Sequence, residues 1–431
     1  MTPLIEPRVL KGFRDFLPAA EIERRSLIER VESVFRAFGF APIDTPALEY
    51  TEVLLGKAGG ETEKQIYRFT DNGGRDVALR FDLTVPFARF AAEHRAVLQL
   101  PFKRYHIAKV WRGENTQRGR YREFTQCDFD CIGSDSAAAD FEILSMMKEA
   151  LAAAGAPAIT IRLNHRGLFN RFLQTIDAAG KSIEILRVVD KLAKIGKDDV
   201  LRLLSGVLDD KQARKIIDYV ETKGSWDETL DAMTAAAGGD NPDSERLKTL
   251  RDFMIDNEIQ DTFKIDPSIT RGLDYYTGVV FETTLDDMPS IGSVCSGGRY
   301  DKLTGLYSKD ALSGVGSSIG LDRLLAALEA LEKIKKRETY ADLFVVCIDE
   351  TRGGVYQRIA GKFREAGVSC EVFFEAKKQS AQFAWAENKG IRWALIDAGD
   401  GRVILRDLAA RRNSAELSVS DAVLFLKKNI L

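Results

Sequence analysis

Charged and polar side chains recur at every second position in three segments of the chain. In LRFDLT, Arg80, Asp82 and Thr84 alternate with apolar residues, so a strand there would carry all three on one face. In WRGE, Arg112 and Glu114 are also two positions apart, so a strand there would carry both on one face. A third segment, REFTQCDFDCI, places four polar side chains on a common face: Arg122, Gln126, Asp128 and Asp130. Each face alone could be the solvated side of a one-sided sheet, but three in succession favour a binding site.

A basic loop, NTQRGRY, lies between the second and third of these segments. Arginines stand at positions 112, 118, 120 and 122, around Gly119. Guanidinium groups bind phosphate oxygens through two parallel hydrogen bonds, so the loop predicts a phosphate-bearing ligand. For Arg118 and Arg120 individually, an ordinary solvated charge remains the alternative.

Three further strings carry residues that could contact a ligand. RGLDYYTG offers the cation Arg271 and the aromatic rings of Tyr275 and Tyr276, which could equally be core aromatics. In GSVCSGGRYDKL, Gly297 and Gly298 permit close approach of a ligand to the backbone, or they mark a bulge. GVGSSIG has the spacing G-x-G-x-x-x-G and no surrounding βαβ unit, so a dinucleotide loop is not predicted.

Composition excludes several classes of protein. The five cysteines are an odd set, and the first residues lack the apolar core of a secretory leader, which favours reduced thiols in a cytoplasm. Cys127 and Cys131 have no second Cys/His pair at zinc-site spacing, so no protein-ligated metal site is expected. No run of 18 apolar residues is present, so no membrane span is expected. The net charge of −3 leaves nucleic-acid binding to local patches.

Element patterns divide the chain. Residues 20–38 carry an amphipathic helical stripe, and residues 77–132 alternate with short turns, which is typical of an antiparallel sheet. Residues 167 to about 259 are helical and charge-rich, after which the alternation returns. Beyond a linker at 332–339, strands and helices alternate as in a small parallel-sheet domain. The predicted domains are 1–166 and 261–335 for the two parts of the sheet domain, 167–260 for a helical insertion, and 341–431 for a C-terminal domain.

Taken together, the strings resemble one family. WRGENTQRGRYREFTQCDFD closely resembles motif 2 of class II aminoacyl-tRNA synthetases in its histidyl version. RGLDYYTGVVFE and CSGGRYDKL resemble the two histidine signatures of the histidyl-tRNA synthetase family, GVGSSIGLDRL its motif 3, FGFAPIDTPALE its motif 1, and KGFRDFLP its N-terminal signature. The resemblance implies an α/β multidomain protein: a class II catalytic domain built on an antiparallel sheet flanked by helices, a helical insertion, and a C-terminal α/β anticodon-binding domain.

The resemblance also implies which residues hold the nucleotide. Arg112 would bind the α-phosphate of ATP, Glu114 the adenine or its amine, and Arg323 the γ-phosphate, with Mg²⁺ accompanying ATP. Arg271 would stand against the α-phosphate during attack, so Arg112 and Arg271 are the candidate catalytic residues. Pro46 would lie at a homodimer interface.

A second set of residues is implied for histidine. Asp82 and Thr84 would bind its α-amino group, and Asp130 and Tyr276 would bond the imidazole with help from Tyr300. The complete predicted set is Asp82, Thr84, Gln126, Asp130, Tyr275, Tyr276 and Tyr300. Asp82 and Asp130 are shorter than the Glu of many bacterial members, and both match the eukaryotic-type pattern, which bears on subgroup and not on reaction.

The activity implied is that of a cytoplasmic histidine–tRNA ligase. It would form histidyl-adenylate and diphosphate from histidine and ATP, then charge the 3′-terminal adenosine of tRNA(His). One alternative is the catalytically silent paralogue that regulates ATP phosphoribosyltransferase and lacks the anticodon-binding domain; another is a synthetase-like RNA-binding protein. Residues 341–431 and the three arginines favour the ligase. A predicted phosphate-facing patch of the C-terminal domain comprises Lys377, Lys378, Arg402, Arg406, Arg411 and Arg412.

Overall fold

The computed structural model describes residues 4–56, 61–269, 275–334 and 337–430. The chain divides into two compact units. One unit comprises Met1–Arg14 and Leu27–Lys333, and the other comprises Asp15–Ser26 and Ile334–Leu431. The helical stretch 167–260 therefore belongs to the same unit as the large sheet.

Strands and helices alternate irregularly along the described part of the chain. The strands are β1 (Ala41–Pro42), β2 (Leu48–Tyr50), β3 (Arg68–Thr70), β4 (Asp76–Leu79), β5 (Phe102–Trp111), β6 (Glu123–Ile132), β7 (Ile159–His165), β8 (Phe263–Ile265), β9 (Val279–Leu285), β10 (Cys295–Tyr300), β11 (Gly314–Gly320), β12 (Leu343–Val345), β13 (Cys370–Val372), β14 (Trp393–Gly399), β15 (Arg402–Asp407), β16 (Arg412–Asn413) and β17 (Leu417–Ser418). The helices are α1 (Pro18–Ala37), α2 (Thr51–Leu55), α3 (Thr84–Glu93), α4 (Ala137–Ala153), α5 (Arg166–Thr175), α6 (Ser182–Val189), α7 (Leu192–Ile195), α8 (Lys197–Ser205), α9 (Asp210–Val220), α10 (Trp226–Ala236), α11 (Pro242–Asp256), α12 (Leu321–Ala330), α13 (Gly353–Glu365), α14 (Gln379–Asn388) and α15 (Val419–Ile430).

The first unit is built on a mixed sheet in the order β1-β5-β6-β11-β10-β9-β7-β8. Its central pairs are antiparallel, as predicted, while β1 pairs with β5 and β8 with β7 in parallel at the two edges. Residues 125–132 of β6 are all buried, so both faces of this strand are covered. The alternative of a solvated one-sided sheet is therefore wrong for β6.

The segment LRFDLT forms a bend instead of a continuous strand. Strand β4 ends at Leu79, and α3 begins at Thr84. Between them, Asp82 Oδ1 accepts a hydrogen bond from the backbone N–H of Val85 at 3.1 Å, which satisfies a free donor in the first helical turn. Similarly, β5 ends at Trp111, so the WRGE segment leaves the sheet. The alternation predicted longer strands because it does not register a helix start.

Helix α1 covers the sheet with the predicted apolar stripe. Leu27, Val31 and Phe35 are buried. The Phe35 ring packs against Tyr105 of β5 and Phe129 of β6, with centroids 5.6 and 4.8 Å apart. Each such buried side chain contributes roughly 1.5–3 kcal/mol relative to an exposed one.

The second unit contains its own α/β sheet. Strands β13, β12 and β14 are parallel, as predicted, and β15, β16 and β17 extend the sheet with antiparallel pairs. The segment LIDAGDGRVILRDL forms the β14–β15 hairpin. Its turn holds Asp400 and Gly401 at φ 48° and 76°.

A buried ion network links the large sheet to helices α4 and α11. Asp140 of α4 is fully buried, and its carboxylate accepts hydrogen bonds from Arg299 of β10 at 2.8 Å and Arg246 of α11 at 3.1 Å. Both arginines also contact Asp135, at 3.4 and 2.9 Å, but the Asp135 side chain is 70% exposed. The two carboxylates therefore share partners and differ in burial.

Replacement of Asp140 tests this difference. We expect Asp140→Ala to lower the free energy of unfolding by about 3–5 kcal/mol, because it leaves the buried Arg299 charge unpaired. Asp135→Ala is the matched control. It should change the free energy of unfolding by no more than about 1 kcal/mol, since exposed ion pairs contribute little. Urea unfolding of both variants measures these free energies. Equal losses of stability in Asp140→Ala and Asp135→Ala would contradict the prediction.

Candidate active site

A cavity of about 290 Å³ opens beside β6, β10 and β11 in the first unit. It brings together eight residues that the sequence assigned to ATP or histidine. These residues are Asp82, Thr84, Arg112, Glu114, Gln126, Tyr275, Tyr276 and Arg323. Arg271 falls in 270–274, outside the described residues, so its role stays a prediction. Pro46 lies exposed in the loop between β1 and β2, away from this cavity.

Arg112 is held in place directly after the end of β5. Its Nε donates to the carbonyl of Phe81 at 2.9 Å, and its guanidinium lies 5.2 Å from the centre of the Phe124 ring. Nearby, Arg120 Nη1 lies 3.8 Å from a carboxylate oxygen of Glu114. A guanidinium fixed by these contacts needs little reorganisation to meet an anionic ligand.

The basic loop approaches the start of α12. Gly119 has φ +71°, and a Cβ there would lie 3.2 Å from the Cα of Arg323. Arg323 Nη1 donates to the carbonyl of Ser293, which orients its guanidinium at the cavity wall. A glycine at position 119 thus allows two arginine-bearing segments to meet.

Asp322 is a cavity residue that sequence reasoning missed. Its carboxylate accepts the backbone N–H of Thr125 at 2.6 Å and a hydrogen bond from Arg14, whose guanidinium lies 3.8 Å from the centre of the Tyr121 ring. The carboxylate thus ties the N-terminal segment and β6 to α12. An acidic residue before Arg323 was visible in the sequence, but its partners are far away along the chain.

Two carboxyl groups form the buried floor of the cavity. Asp82 and Asp128 are each 1% exposed. Burial raises the pKa of Asp82 to about 6, against the opposing effects of the Val85 N–H and the Arg112 charge. Burial also raises the pKa of Asp128 to about 7, although the Arg104 guanidinium opposes this. Such a floor favours a ligand that supplies positive charge or N–H donors.

Asp130 and Tyr300 lie together, but not among the lining residues. The Tyr300 hydroxyl donates to Asp130 Oδ1 at 2.7 Å, and Arg104 Nη2 lies 2.6 Å from Asp130 Oδ2. Burial raises the pKa of Asp130, while Arg104 and the Tyr300 hydrogen bond lower it. Gly316 covers this carboxyl so closely that a Cβ there would lie 2.0 Å from Asp130 Oδ1. The structure thus brings two predicted imidazole partners into contact with each other and Arg104.

Asp128 is a second lining carboxyl that the predicted site omitted. Period-two alternation had placed it on the face of Gln126 and Asp130, yet the motif resemblance assigned it no role. In the structure it opposes His106 on β5 and Ser318 on β11. The alternation was the signal that could have found it.

A larger cleft lies beside the active-site cavity. It has a volume of about 1590 Å³, and helices of the 166–256 stretch line one side while β8 and the segment after β9 line the other. Its charged lining is mostly basic. The basic residues are Arg118, Arg120, Arg162, Lys194, Lys197, Lys223, Arg251 and Lys264, and the acidic ones are Glu221, Asp261, Asp266 and Glu282.

The described residues contain neither a metal-binding cluster nor a membrane-spanning helix. No cluster of three or more His, Cys, Asp or Glu side chains in that part of the chain could hold a metal ion. Within the same residues, every helix is too short or too polar to cross a membrane.

Comparisons with known proteins agree with the motif resemblance. A family model described as histidyl-tRNA synthetase matches residues 12–324. A relative named histidine–tRNA ligase from Treponema denticola is 54% identical over 423 residues, which cover 97% of this chain and 94% of the relative. The crystal structure of histidyl-tRNA synthetase from Nostoc sp. PCC 7120 is 31% identical, with a TM-score of 0.88 and coverage of 99% of this chain and 100% of that chain.

A third likeness concerns the fold alone. The structure titled as an ATP phosphoribosyltransferase regulatory subunit/histidyl-tRNA synthetase from Bacillus halodurans has a TM-score of 0.75 at 21% identity, and covers 92% of this chain and 100% of that chain. The family match spans most of the sequence, and the Treponema relative shares more than half of its residues over nearly the full length. The chain belongs to the histidyl-tRNA synthetase family.

Proposed function

We propose that this protein is a histidine–tRNA ligase that forms histidyl-adenylate and diphosphate from histidine and Mg²⁺–ATP, then transfers histidine to the 3′-terminal adenosine of tRNA(His). The single observation that carries the proposal is one cavity whose wall holds Arg112 and Arg323 and whose floor holds buried carboxyls. Guanidinium groups suit the phosphates of ATP, and carboxyls suit the cationic amino acid.

Adenylate formation brings two anions together. The amino-acid carboxylate attacks the α-phosphate, so positive charge must be in place before the bond forms. Arg112, fixed by the Phe81 carbonyl, supplies that charge at the α-phosphate. As the carboxylate oxygen bonds to the α-phosphorus, the bond from that phosphorus to the bridging oxygen of the β-phosphate breaks, and the β- and γ-phosphates leave together as diphosphate. Arg323 binds the γ-phosphate, and Glu114 binds the adenine. The Mg²⁺ that accompanies ATP offsets further charge.

The α-amino group of histidine is bound beside this reaction centre. The Arg112 charge acts on the carboxyl of Asp82, and the Tyr275 hydroxyl lies 3.4 Å from Asp82 Oδ2. An ammonium group hydrogen-bonded to Asp82 and Thr84 would hold the adjoining amino-acid carboxylate near Arg112. This arrangement positions the nucleophile before attack.

A regulatory role without catalysis is the second candidate. It draws on the fold likeness to the Bacillus halodurans structure, whose printed title names a regulatory subunit. The cavity arginines and the C-terminal α/β unit favour the ligase, because a silent regulator needs neither. Histidine-dependent ATP–pyrophosphate exchange separates the two functions.

The proposed tRNA contacts use local basic surfaces. The acceptor end would enter the basic cleft beside the active site, where phosphates can meet Lys223 and Lys264. The C-terminal unit would bind the anticodon. Within the predicted phosphate-facing patch, Lys377 forms an ion pair with Glu375 at 2.6 Å, and Arg406 stacks 5.0 Å from the Phe383 ring centre.

A homodimer is part of the proposal. Pro46 is exposed on the segment that resembles motif 1, and the neighbouring Leu48 and Tyr50 side chains are 40% and 49% exposed. A second copy of the chain would cover this apolar surface.

Removal of the Arg112 guanidinium tests the proposed α-phosphate site. We expect Arg112→Ala to reduce histidine-dependent ATP–pyrophosphate exchange by about 10²- to 10³-fold, because one preorganised cation at the α-phosphate is lost. Arg202→Ala is the control, since that side chain is 78% exposed and pairs with Asp199 on α8. The control should exchange at the wild-type rate. An Arg112→Ala rate within threefold of wild type would remove Arg112 from this role.

Charge reversal in the basic cleft tests the proposed tRNA contact. Lys264→Glu and Lys223→Glu should each raise the KM for tRNA several-fold and reduce the slope of log KM against log salt by about one, because a phosphate contact is lost. Pyrophosphate exchange should be unchanged. Lys248→Glu is the matched control, since Lys248 lies on α11 outside the cleft lining and pairs with Asp240 and Glu245 at 3.0 and 2.7 Å. Equal effects of all three variants would argue against an RNA-binding cleft.

A further inference from the structure

Arg166 lies where the large sheet meets the helical stretch, directly after β7 and at the first position of α5. We propose that Arg166 is a positioning residue for the amino-acid pocket: its guanidinium holds the backbone that presents Tyr275 and Tyr276 to the bound histidine. The inference rests on the proposed ligase function and extends it to a residue outside the cavity lining, to which the motif resemblance assigns no role.

The first observation is a pair of hydrogen bonds from Arg166 to the segment before β9. Its Nη1 donates to the carbonyl of Tyr276 at 3.1 Å, and its backbone N–H donates to the carbonyl of Gly278 at 2.9 Å. The backbone bond continues the β7–β9 pairing, in which His165 opposes Val279, so any residue except proline could make it. The bond to Tyr276 requires the side chain, and it extends this anchorage by two residues toward the cavity.

The second observation is that β10 holds the same segment. Strand β9 lies between β7 and β10 in the sheet. The Thr277 N–H donates to the carbonyl of Arg299 at 2.8 Å, and the Thr277 hydroxyl donates to the carboxylate of Asp301. Arg166 and β10 therefore fix this segment from both neighbours of β9, which leaves the preceding tyrosines little freedom to shift.

The third observation concerns the two aromatic rings. Tyr275 and Tyr276 both line the cavity and pack edge to face, with ring centres 4.8 Å apart. The Tyr276 ring also lies against the backbone of β10, because a Cβ at Gly298 would be 2.9 Å from Tyr276 Cδ1. Since the rings contact each other, a shift of the Tyr276 backbone would displace both at once. The carbonyl that Arg166 holds therefore determines the position of both rings.

The end of β7 also holds the chain before residue 270. Asn164 is 1% exposed, and its side-chain amide donates to the carbonyls of Pro267 and Ile269 at 3.1 and 2.9 Å. Asn164 and Arg166, two positions apart, thus bond backbone carbonyls that lie on either side of 270–274 along the chain. The end of β7 therefore anchors residues 267–269 as well as residues 276–278.

Arg166→Met tests the proposal in the full-length enzyme, because methionine nearly keeps the length of the side chain and removes its donors. It should raise the KM for histidine in ATP–pyrophosphate exchange by about 10-fold, because a small displacement of binding groups is costly. The KM for ATP should change by less than about twofold, since Arg112 and Arg323 are held by other carbonyls. An unchanged KM for histidine, or equal rises in both KM values, would overturn the proposal.

Two further variants calibrate this result. Arg166→Lys keeps a single cationic donor and should give a KM for histidine between those of wild type and Arg166→Met. Arg171→Ala is the matched control, because Arg171 lies on the same helix and bonds Asp243 at 2.6 Å. Its KM for histidine should equal that of wild type, and a rise as large as that of Arg166→Met would count against a specific role for Arg166.

A double-mutant cycle with Tyr276 separates positioning from a general weakening of the fold. In a Tyr276→Ala enzyme, Arg166→Met should raise the KM for histidine by less than about threefold, because one of the two rings that Arg166 positions is gone. If the two changes instead multiply in full, Arg166 does not act through the tyrosine and the proposal is wrong.

Thermal unfolding completes the test. Arg166→Met should melt within about 5 °C of wild type, because the hydrogen bond to Tyr276 is only partly buried. If Arg166→Met does not fold, Arg166→Lys carries the test, and a wild-type KM for histidine in that variant would leave Arg166 a structural role and overturn the proposal. Absence of histidine-dependent exchange in the wild type would instead refute the ligase function.

Discussion

The active site depends on one balance of buried charge. The carboxyls of Asp82, Asp128 and Asp130 are each 1% exposed, and the fully buried guanidinium of Arg104 lowers the pKa of all three. Arg104 is fixed in turn, because it donates to the carbonyl of Leu83 at 3.1 Å and lies 4.4 Å from the centre of the Phe87 ring. Arg112 also acts on Asp82, yet burial keeps the pKa of all three carboxyls raised, so a ligand with N–H donors would stabilise their ionised forms.

This balance requires a sheet that is covered on both faces. A carboxyl on a solvated face would be hydrated, and it would gain little from an ammonium or imidazole group. Helix α1 packs onto β5 and β6 through Phe35, while the cavity occupies part of the other side. Apolar packing on one side therefore supports polar recognition on the other.

Much of this site could be predicted from the sequence. Alternation located β6 and the common face of Gln126 and Asp128, and the motif resemblance located Arg112 and Arg323. Alternation could not tell how deep each side chain lies, which depends on β11 and on the close cover of Asp130 by Gly316. Alternation also predicted a continuous strand for LRFDLT, which is wrong. The backbone N–H of Val85 donates to Asp82 at the start of a helix there.

The hydrogen bonds of Asp322 could not be predicted from local sequence patterns. Its partners Thr125 and Arg14 are 197 and 308 positions away along the chain. No periodicity spans such separations, and the residue type alone gives no sign of the two bonds. Contacts of this kind are set by tertiary packing, which a single sequence does not display.

The strand order has a consequence for synthesis on the ribosome. Strand β11 lies between β6 and β10 in the finished sheet, but it is made after both of them. At 5–20 residues per second, roughly ten to forty seconds separate the completion of β6 from the appearance of β11. Throughout that interval, β6, which carries Asp128 and Asp130, lacks its final neighbour along one edge. The nascent chain therefore completes its amino-acid pocket only after more than 300 residues have been translated.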